Sequence, residues 1–336
     1  MCGIAGIVRT DGNEVEPAVV RKMIGRIRHR GPDSEGYWQE GPVALGHCRL
    51  AIRDLTSAGA QPFASHDGRV VVVYNGEIYN HQALAAELAA VRGFVPRTEC
   101  DTELIPEAYL AWGPAAFERF EGMFAVGLWD RAERRLVLAR DGIGIKPLYL
   151  WENDSEIGFA SEIKAALAGR SGSARLCPSD IAHMLALGYP APDRTLVEGL
   201  RQLQPGTVWV RDDAGRRERR FWRPTRPLRP IEYPCAHDRF VELFKTVVDQ
   251  QLVSDVPVGV MQSGGIDSSL VSLALPKNQD IALFCVRFNE ASHDESILAQ
   301  KLAATAGRRI EWVDLPAGRD IESDFDCVVR AVDGHL

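Results

Sequence analysis

At 336 residues, 46% hydrophobic and 25% charged, the chain has an ordinary globular composition and room for two domains. Its net charge of -7 and pI near 5.7 argue against nucleic-acid binding, since the basic runs RHR and RRERR are too short for a basic stripe. No segment approaches a membrane span and no early apolar run follows a charged leader, so a cytoplasmic protein without membrane contact is expected.

In chain order, GIAGIV (3–8) reads as a strand. PAVVRKMIGRIRHR (17–30) reads as a helix started by Pro17, with Val19, Val20, Met23, Ile24 and Ile27 at helical spacing. VVVVYNGEI (70–78), MFAVGLW (123–129), RLVLARD (135–141) and IGFASE (157–162) are further strands. HQALAAELAAV (81–91) and TELIPEAYLAW (102–112) are helices, with Pro106 demanding a late start or a kink in the second. Residues 223–234, RPTRPLRPIEYP, carry four prolines and little apolar pattern and read as a linker. Beyond it helix and strand alternate strictly, from AHDRFVELFKTVVDQQL (236–252) through VPVGVM (256–261), SLVSLAL (269–275), IALFCVRF (281–288) and DESILAQKLAATAG (294–307) to RIEWVDL (309–315). That rhythm is the mark of βαβ units on a parallel sheet.

Seven cysteines, at 2, 48, 100, 177, 235, 285 and 327, are odd in number and never spaced C-x-x-C. A disulfide framework and a structural zinc site are both disfavoured, and most of these thiols should behave as small buried hydrophobes. Cys2 is different. If Met1 is removed, its thiol (ordinary pKa about 8.5) lies beside an α-amine of pKa about 7.7–8.0 that can serve as its base, so no histidine is required.

The chain carries RHRGPDSEG, GHCRLAI, YNGEIYN, TECDTE, GMFA and RDGIGIKPLY in that order behind MCGIAGIV. With these motifs it closely resembles the glutamine-hydrolysing asparagine synthetases, whose first half is a class II glutamine amidotransferase domain. The resemblance implies an α+β Ntn-hydrolase-type αββα glutaminase at residues 2–222, the linker at 223–234, and an incomplete α/β ATP-pyrophosphatase (HUP-like) domain at 235–336. It implies Cys2 as nucleophile, with the Asn75 amide and the Gly76 N–H as oxyanion hole. Glutamine would be held by Arg49, Leu50, Ile52, Asn75, Gly76, Glu77 and Asp101, with Arg49 forking the carboxylate and Asp101 or Glu77 taking the ammonium. Read alone, Asn75–Gly76 is the strongest short hairpin-turn signal, and RHRGPDSEG is either an ordinary turn or the family's mobile flap. His29, His47 and Cys48 read as structural.

QSGGIDSS (262–269) lies between an apolar strand and a helix and lacks the lysine of a Walker loop. Backbone N–H groups in such a glycine turn and a free helix N-terminus converge on a phosphate. The pattern resembles the pyrophosphate loop of N-type ATP pyrophosphatases. That likeness implies ATP contacts from Met261, Ser263, Gly264, Gly265, Asp267, Ser268, Ser269 and Val286. Asp267 would hold Mg²⁺, because an acid among phosphates needs a cation between them. Asp294 and Glu295, opening the next helix, are read equally well as acids favouring a helix dipole.

The reaction so implied is glutamine hydrolysis to glutamate and ammonia, the ammonia amidating an aspartyl-AMP made from ATP and aspartate. Relatives continue beyond this chain's last residue with further ATP and acyl-adenylate groups. A truncated product, a partner supplying the rest, or lost synthesis are three open explanations, and a homodimer is one such partner. The rival readings are a class II amidotransferase with another acceptor (a different carboxylate, a sugar phosphate or phosphoribosyl pyrophosphate) and a non-catalytic sensor of glutamine or ATP.

Overall fold

A computed structural model describes residues 1–224, 231–288, 294–314 and 321–332, which fall into two compact units, each taken here by itself. Most of the expected linker, residues 225–230, lies outside the described residues.

The first unit is built on two six-stranded antiparallel sheets. Its strands are β1 (Gly3–Arg9), β2 (Ser34–Glu40), β3 (Val43–Arg49), β4 (Phe63–Ala64), β5 (Val70–Ile78), β6 (Gly122–Asp130), β7 (Arg135–Arg140), β8 (Tyr149–Glu152), β9 (Glu156–Ala160), β10 (Leu200–Gln202), β11 (Thr207–Asp212) and β12 (Gly215–Arg220). One sheet runs β10-β8-β9-β1-β3-β2 and the other β12-β11-β7-β6-β5-β4. Helices α1 (Pro17–Arg26), α2 (His81–Arg92), α3 (Leu104–Trp112), α4 (Ile163–Gly169) and α5 (Pro178–Leu187) complete the unit.

Side-chain alternation along each strand sorts the apolar residues into three cores. In β5, Val71 and Val73 join Ile4, Leu45, Leu138 and Phe159 between the sheets. Val70, Val72 and Tyr74 face outwards to Leu84, Leu88, Ile105 and Tyr109 of α2 and α3. On the far face of the other sheet, Ala5 and Ile7 meet Val20, Met23 and Ile24 of α1 and Ala165 of α4. The layers are therefore α-β-β-α, as expected, and central strands buried on both faces read as unbroken apolar runs.

Pro106 is accommodated without a kink because α3 begins only at Leu104, so its missing N–H falls in the first turn. The strand expected over 70–78 is β5 itself, and the hairpin alternative at Asn75–Gly76 is not realised: both residues stay in the strand, opposite Ala125 and Phe124 of β6. Gly76 is required here by close approach, since a Cβ on it would lie 2.2 Å from the Met123 carbonyl oxygen. Part of the RHRGPDSEG stretch is also regular, Ser34–Gly36 pairing with Arg49–His47.

The second unit contains α6 (Tyr233–Gln250), β13 (Gly259–Met261), α7 (Ile266–Ala274), β14 (Ala282–Arg287), α8 (Ser296–Ala306), β15 (Ile310–Asp314) and, as far as Cys327, α9 (Ile321–Val332). The helix α6 begins earlier than expected and takes Tyr233 and Pro234 from the end of the linker, Pro234 fitting the first turn. The three strands are parallel in the order β13-β14-β15, with Leu275, Ile281, Leu283 and Ala303 as a small core. Among the described residues no helix is long and apolar enough to cross a membrane.

Candidate active site

Cys2 immediately precedes β1, and Arg49 ends β3, the neighbouring strand. The Cys2 Sγ lies 3.4 Å from the Leu50 N–H and 3.7 Å from the Leu50 carbonyl oxygen. Burial pushes the thiol above its ordinary pKa, and the Leu50 N–H and the chain's amino group work against that rise. A resting thiol of this kind needs a base. Met1 precedes Cys2 here, and its half-buried amino group is pushed below its ordinary value, first by burial and then by the charges of Arg30 and Lys146.

Four segments of chain converge on one pocket. Its walls include Cys2, Arg49, Leu50, Ile52, Gly76, Glu77 and Asp101, all expected from the sequence, together with Gln61, Tyr74 and Cys100. Asn75 is not part of the wall; it is 1% exposed, and its Nδ2 has no hydrogen-bond partner. An unpaired buried donor is uncommon and calls for an explanation, here its place beside Gly76 on the strand that forms the pocket.

The Arg49 guanidinium is turned to the backbone. Its Nη1 donates to the Thr56 carbonyl at 2.7 Å, and Nη2 to those of Asp54 at 2.5 Å and Arg53 at 3.1 Å. The pocket's open volume is about 30 Å³, space for a water or two rather than an amino acid. Asp54, Thr56 and Ala58, in the segment carrying those carbonyls, also border a larger cavity of about 560 Å³ lined by His81, Arg97 and Cys100. Asp101 is 4% exposed, and its Oδ2 accepts from the Tyr74 hydroxyl at 2.9 Å and the Ile78 N–H at 2.8 Å.

The residues that hold this arrangement have no role assigned from the sequence, although Arg30 falls in RHRGPDSEG and Asp141 and Lys146 in RDGIGIKPLY. Arg30 donates from Nε to the Cys2 carbonyl at 2.9 Å and from Nη1 to Glu162 Oε1 at 2.8 Å. Lys146 is 5% exposed, with its pKa lowered by burial and by Arg30. Its N–H is fixed by Asp141 Oδ2 at 3.0 Å, and the same oxygen takes the Phe124 N–H at 3.1 Å, opposite Gly76. The histidines and Cys48 play structural parts. Burial holds the His47 pKa down to about 3, its Nε2 lies 3.2 Å from the Tyr74 carbonyl, and His29 contacts Glu162. The Cys48 thiol donates to the Ile27 carbonyl at 3.2 Å and fills the space that a side chain at Gly3 would need.

In the second unit the glycine turn follows β13, and α7 starts at Ile266, so Asp267 and Ser268 stand in its first turn rather than in the loop. No side chain caps this N-terminus, which leaves N–H groups for an anion. Gly264 has φ +82° and its Cα faces α8, where a Cβ would come within 2.8 Å of Leu298 Cβ. The Ser268 hydroxyl lies 3.1 Å from Ser263 Oγ and accepts from the Ser263 N–H at 3.4 Å, while Ser263 Oγ accepts from the Gly265 N–H at 3.3 Å. A phosphate here would take over donors now satisfied by hydroxyls.

Met261, Ser263 and Val286 line a cavity of about 340 Å³ with Phe284, Phe288 and Glu295, whereas Gly264, Gly265, Asp267, Ser268 and Ser269 lie in the adjoining turn and helix start. Asp294 bonds the Ser296 N–H at 3.1 Å, a helix-start contact, so of the two acids only Glu295 reaches the cavity. Asp267 is exposed, and no group of three or more metal-ligating side chains occurs among the described residues. A single carboxylate still suits Mg²⁺, which is commonly held by one or two carboxylates plus phosphates.

A family model for the glutamine amidotransferase domain matches residues 1–222, and one for asparagine synthase matches residues 239–334. Asparagine synthetase [glutamine-hydrolyzing] 3 of Bacillus subtilis (strain 168) is 34% identical over 279 residues, covering 81% of this chain and 45% of that protein. Asparagine synthetase [glutamine-hydrolyzing] 1 of the same organism is 30% identical over 316 residues, covering 91% and 49%. The chain spans about half the length of these curated relatives. A solved structure described as the allosteric regulatory enzyme of purine biosynthesis matches with a TM-score of 0.50 at 17% identity, covering 100% of this chain and 79% of that one, a likeness of fold alone. The chain belongs to the glutamine amidotransferase domain family, with an asparagine-synthase region following that domain.

Proposed function

We propose that the first unit hydrolyses glutamine at Cys2 and that the second binds ATP, together serving the amidation of aspartate. One observation carries the reading: Cys2, Arg49, Gly76, Glu77 and Asp101 reach a single pocket from separate segments. With Met1 removed, the amine of Cys2 takes the thiol proton and the sulfur attacks the amide carbon of glutamine. The oxyanion is met by the Asn75 amide and the Gly76 N–H. The C–N bond breaks, ammonia leaves with a proton returned by the ammonium, and water then hydrolyses the thioester to glutamate. Arg49 holds the α-carboxylate and Asp101 the α-ammonium.

In the second unit, the Ser263–Ser269 segment takes the β- and γ-phosphates, with Val286 and Met261 towards the base and Asp267 holding Mg²⁺. A magnesium ion held by Asp267 would supply positive charge to offset that of the phosphates. Aspartate and ATP give aspartyl-AMP and pyrophosphate, and ammonia displaces AMP to give asparagine.

The test follows glutamate and pyrophosphate in parallel, with and without ATP, Mg²⁺ and aspartate. Glutamate release lost in Cys2→Ala, with nucleotide binding kept, supports the division of labour. Aspartate-dependent pyrophosphate and asparagine support the full reaction. Ligand binding without any glutamate would favour a sensor instead.

A further inference from the structure

Gln61 lies two residues before β4 pairs Phe63 with Val72, and in that register it stands opposite Tyr74. Its side chain does there what a further strand residue would do. Oε1 accepts the Tyr74 N–H at 2.6 Å, and Nε2 reaches Thr102 Oγ1 at 3.3 Å. Both Gln61 and Tyr74 are buried, at 7% and 2% exposure, and both line the glutamine-type pocket.

The far end of Tyr74 is equally fixed, its hydroxyl donating to Asp101 Oδ2 at 2.9 Å. With the Ile78 N–H on the same oxygen, Oδ1 is left facing nothing stronger than the Cys100 thiol at 3.7 Å among the described residues. Asn75 and Gly76 follow Tyr74 directly in β5. The amide end of the pocket and its carboxylate end are thus joined through one residue, whose backbone is held by Gln61 and whose hydroxyl holds Asp101.

We propose that Gln61 and Tyr74 form a clamp that sets the span between Asp101 and the Cys2–Gly76 end, and so selects amides bearing an α-ammonium at glutamine's distance. The clamp rests on the glutaminase reading above. Both are positioning residues, since they act through Asp101 and the strand. A hydrogen bond held to a charged group is worth roughly a tenfold to hundredfold change in an equilibrium when lost.

The experiment compares glutamine with 4-carbamoylbutanoate, which has the same chain, amide and carboxylate but no amine, using the full chain with Cys2 freed. Where turnover of the amine-free amide is too slow, its Ki against glutamine replaces it. Tyr74→Phe should raise the KM for glutamine about tenfold or more with kcat little changed. The amine-free amide should be affected less than about twofold, because it never engages Asp101. Gln61→Met should act in the same direction, and Gln61→Glu, which keeps an acceptor for the Tyr74 N–H, should restore most of the preference. Equal losses on both amides, or a preference for glutamine unchanged in all three variants, would overturn the clamp. A wild-type chain that hydrolyses neither amide would overturn the glutaminase reading and the clamp with it.

Discussion

The guanidinium of Arg30 grips the backbone of Cys2, Nε donating to its carbonyl at 2.9 Å while Nη1 is anchored on Glu162 Oε1 at 2.8 Å. Arg30 and Glu162 side chains are 8% and 5% exposed, so the pair is a buried one that aims the nucleophile's residue from behind. Glu162 also pairs with Lys164 at 2.6 Å, so the cost of breaking the pair falls on Arg30, which without Glu162 is left buried and lacking its carboxylate partner. Glu162→Gln should therefore cost about tenfold to a hundredfold in kcat for glutamine hydrolysis, through displacement of the thiol. Steady-state kinetics showing a changed KM with unaltered kcat would contradict this.

A second expectation concerns the loop that occupies Arg49. Asp54 has φ +49°, outside the ordinary regions for a non-glycine residue, and its carboxylate accepts from the Thr56 N–H at 3.2 Å and the Thr56 hydroxyl at 2.5 Å. The segment is held in a local conformation whose carbonyls take the donors that a glutamine carboxylate would use, with a cavity on its other side. Glutamine should shift this loop, so the Thr56 and Ala58 amides should change their hydrogen exchange on binding. Arg49→Lys should raise KM about tenfold or more, because an ammonium cannot reproduce the bidentate fork. Unchanged exchange at saturating glutamine would place the carboxylate elsewhere.

The pH dependence follows from burial and charge. Burial lowers the pKa of the Met1 amino group most, Arg30 and Lys146 lower it further, and Cys2 and Cys48 work the other way. The amine freed at Cys2 lies one residue along, with the Arg30 guanidinium on the Cys2 carbonyl at 2.9 Å, so as a neutral base it should give kcat/KM an acid limb below the ordinary α-amine value of about 7.7–8.0. Lys146→Met removes a neighbouring cation and should move that acid limb to higher pH. A limb that stays in place, or moves down, would remove Lys146 from the account.

His47 sets an acid limit on stability. Its pKa is held at about 3 in the fold against about 6.5 when exposed, so below pH 6.5 the unfolded chain binds the extra proton. Stability then rises with pH and falls by about 1.4 kcal/mol for each unit between 6.5 and 3. His47→Asn should flatten the fall in Tm between pH 7 and 5 by the equivalent of one proton. An unchanged slope would show that other groups control it.

The parts of the site legible in the sequence are those whose side chains are proposed to meet substrate. Cys2, Arg49 and Asp101 could be named because their chemistry and order are distinctive. Gln61, Tyr74, Arg30 and Glu162 are given no role there, although Tyr74 lies in YNGEIYN and Arg30 in RHRGPDSEG, since their parts depend on contacts up to 132 residues away. Doubly buried strands such as β5 stood out as apolar runs, while β2 (SEGYWQE) and β12 (GRRERR), partly exposed at sheet edges, carry too little apolar pattern to be picked out as strands. The turn signal in Asn75–Gly76 is not realised because its glycine serves the approach of β6, not a positive φ.

The most direct test of the central claim is glutamate release by chain with Met1 removed, beside chain shown by mass spectrometry to retain it. Removal frees the amine at Cys2, and the account predicts hydrolysis only then, abolished again in Cys2→Ala. Equal glutamate release from the chain that keeps Met1 would contradict it.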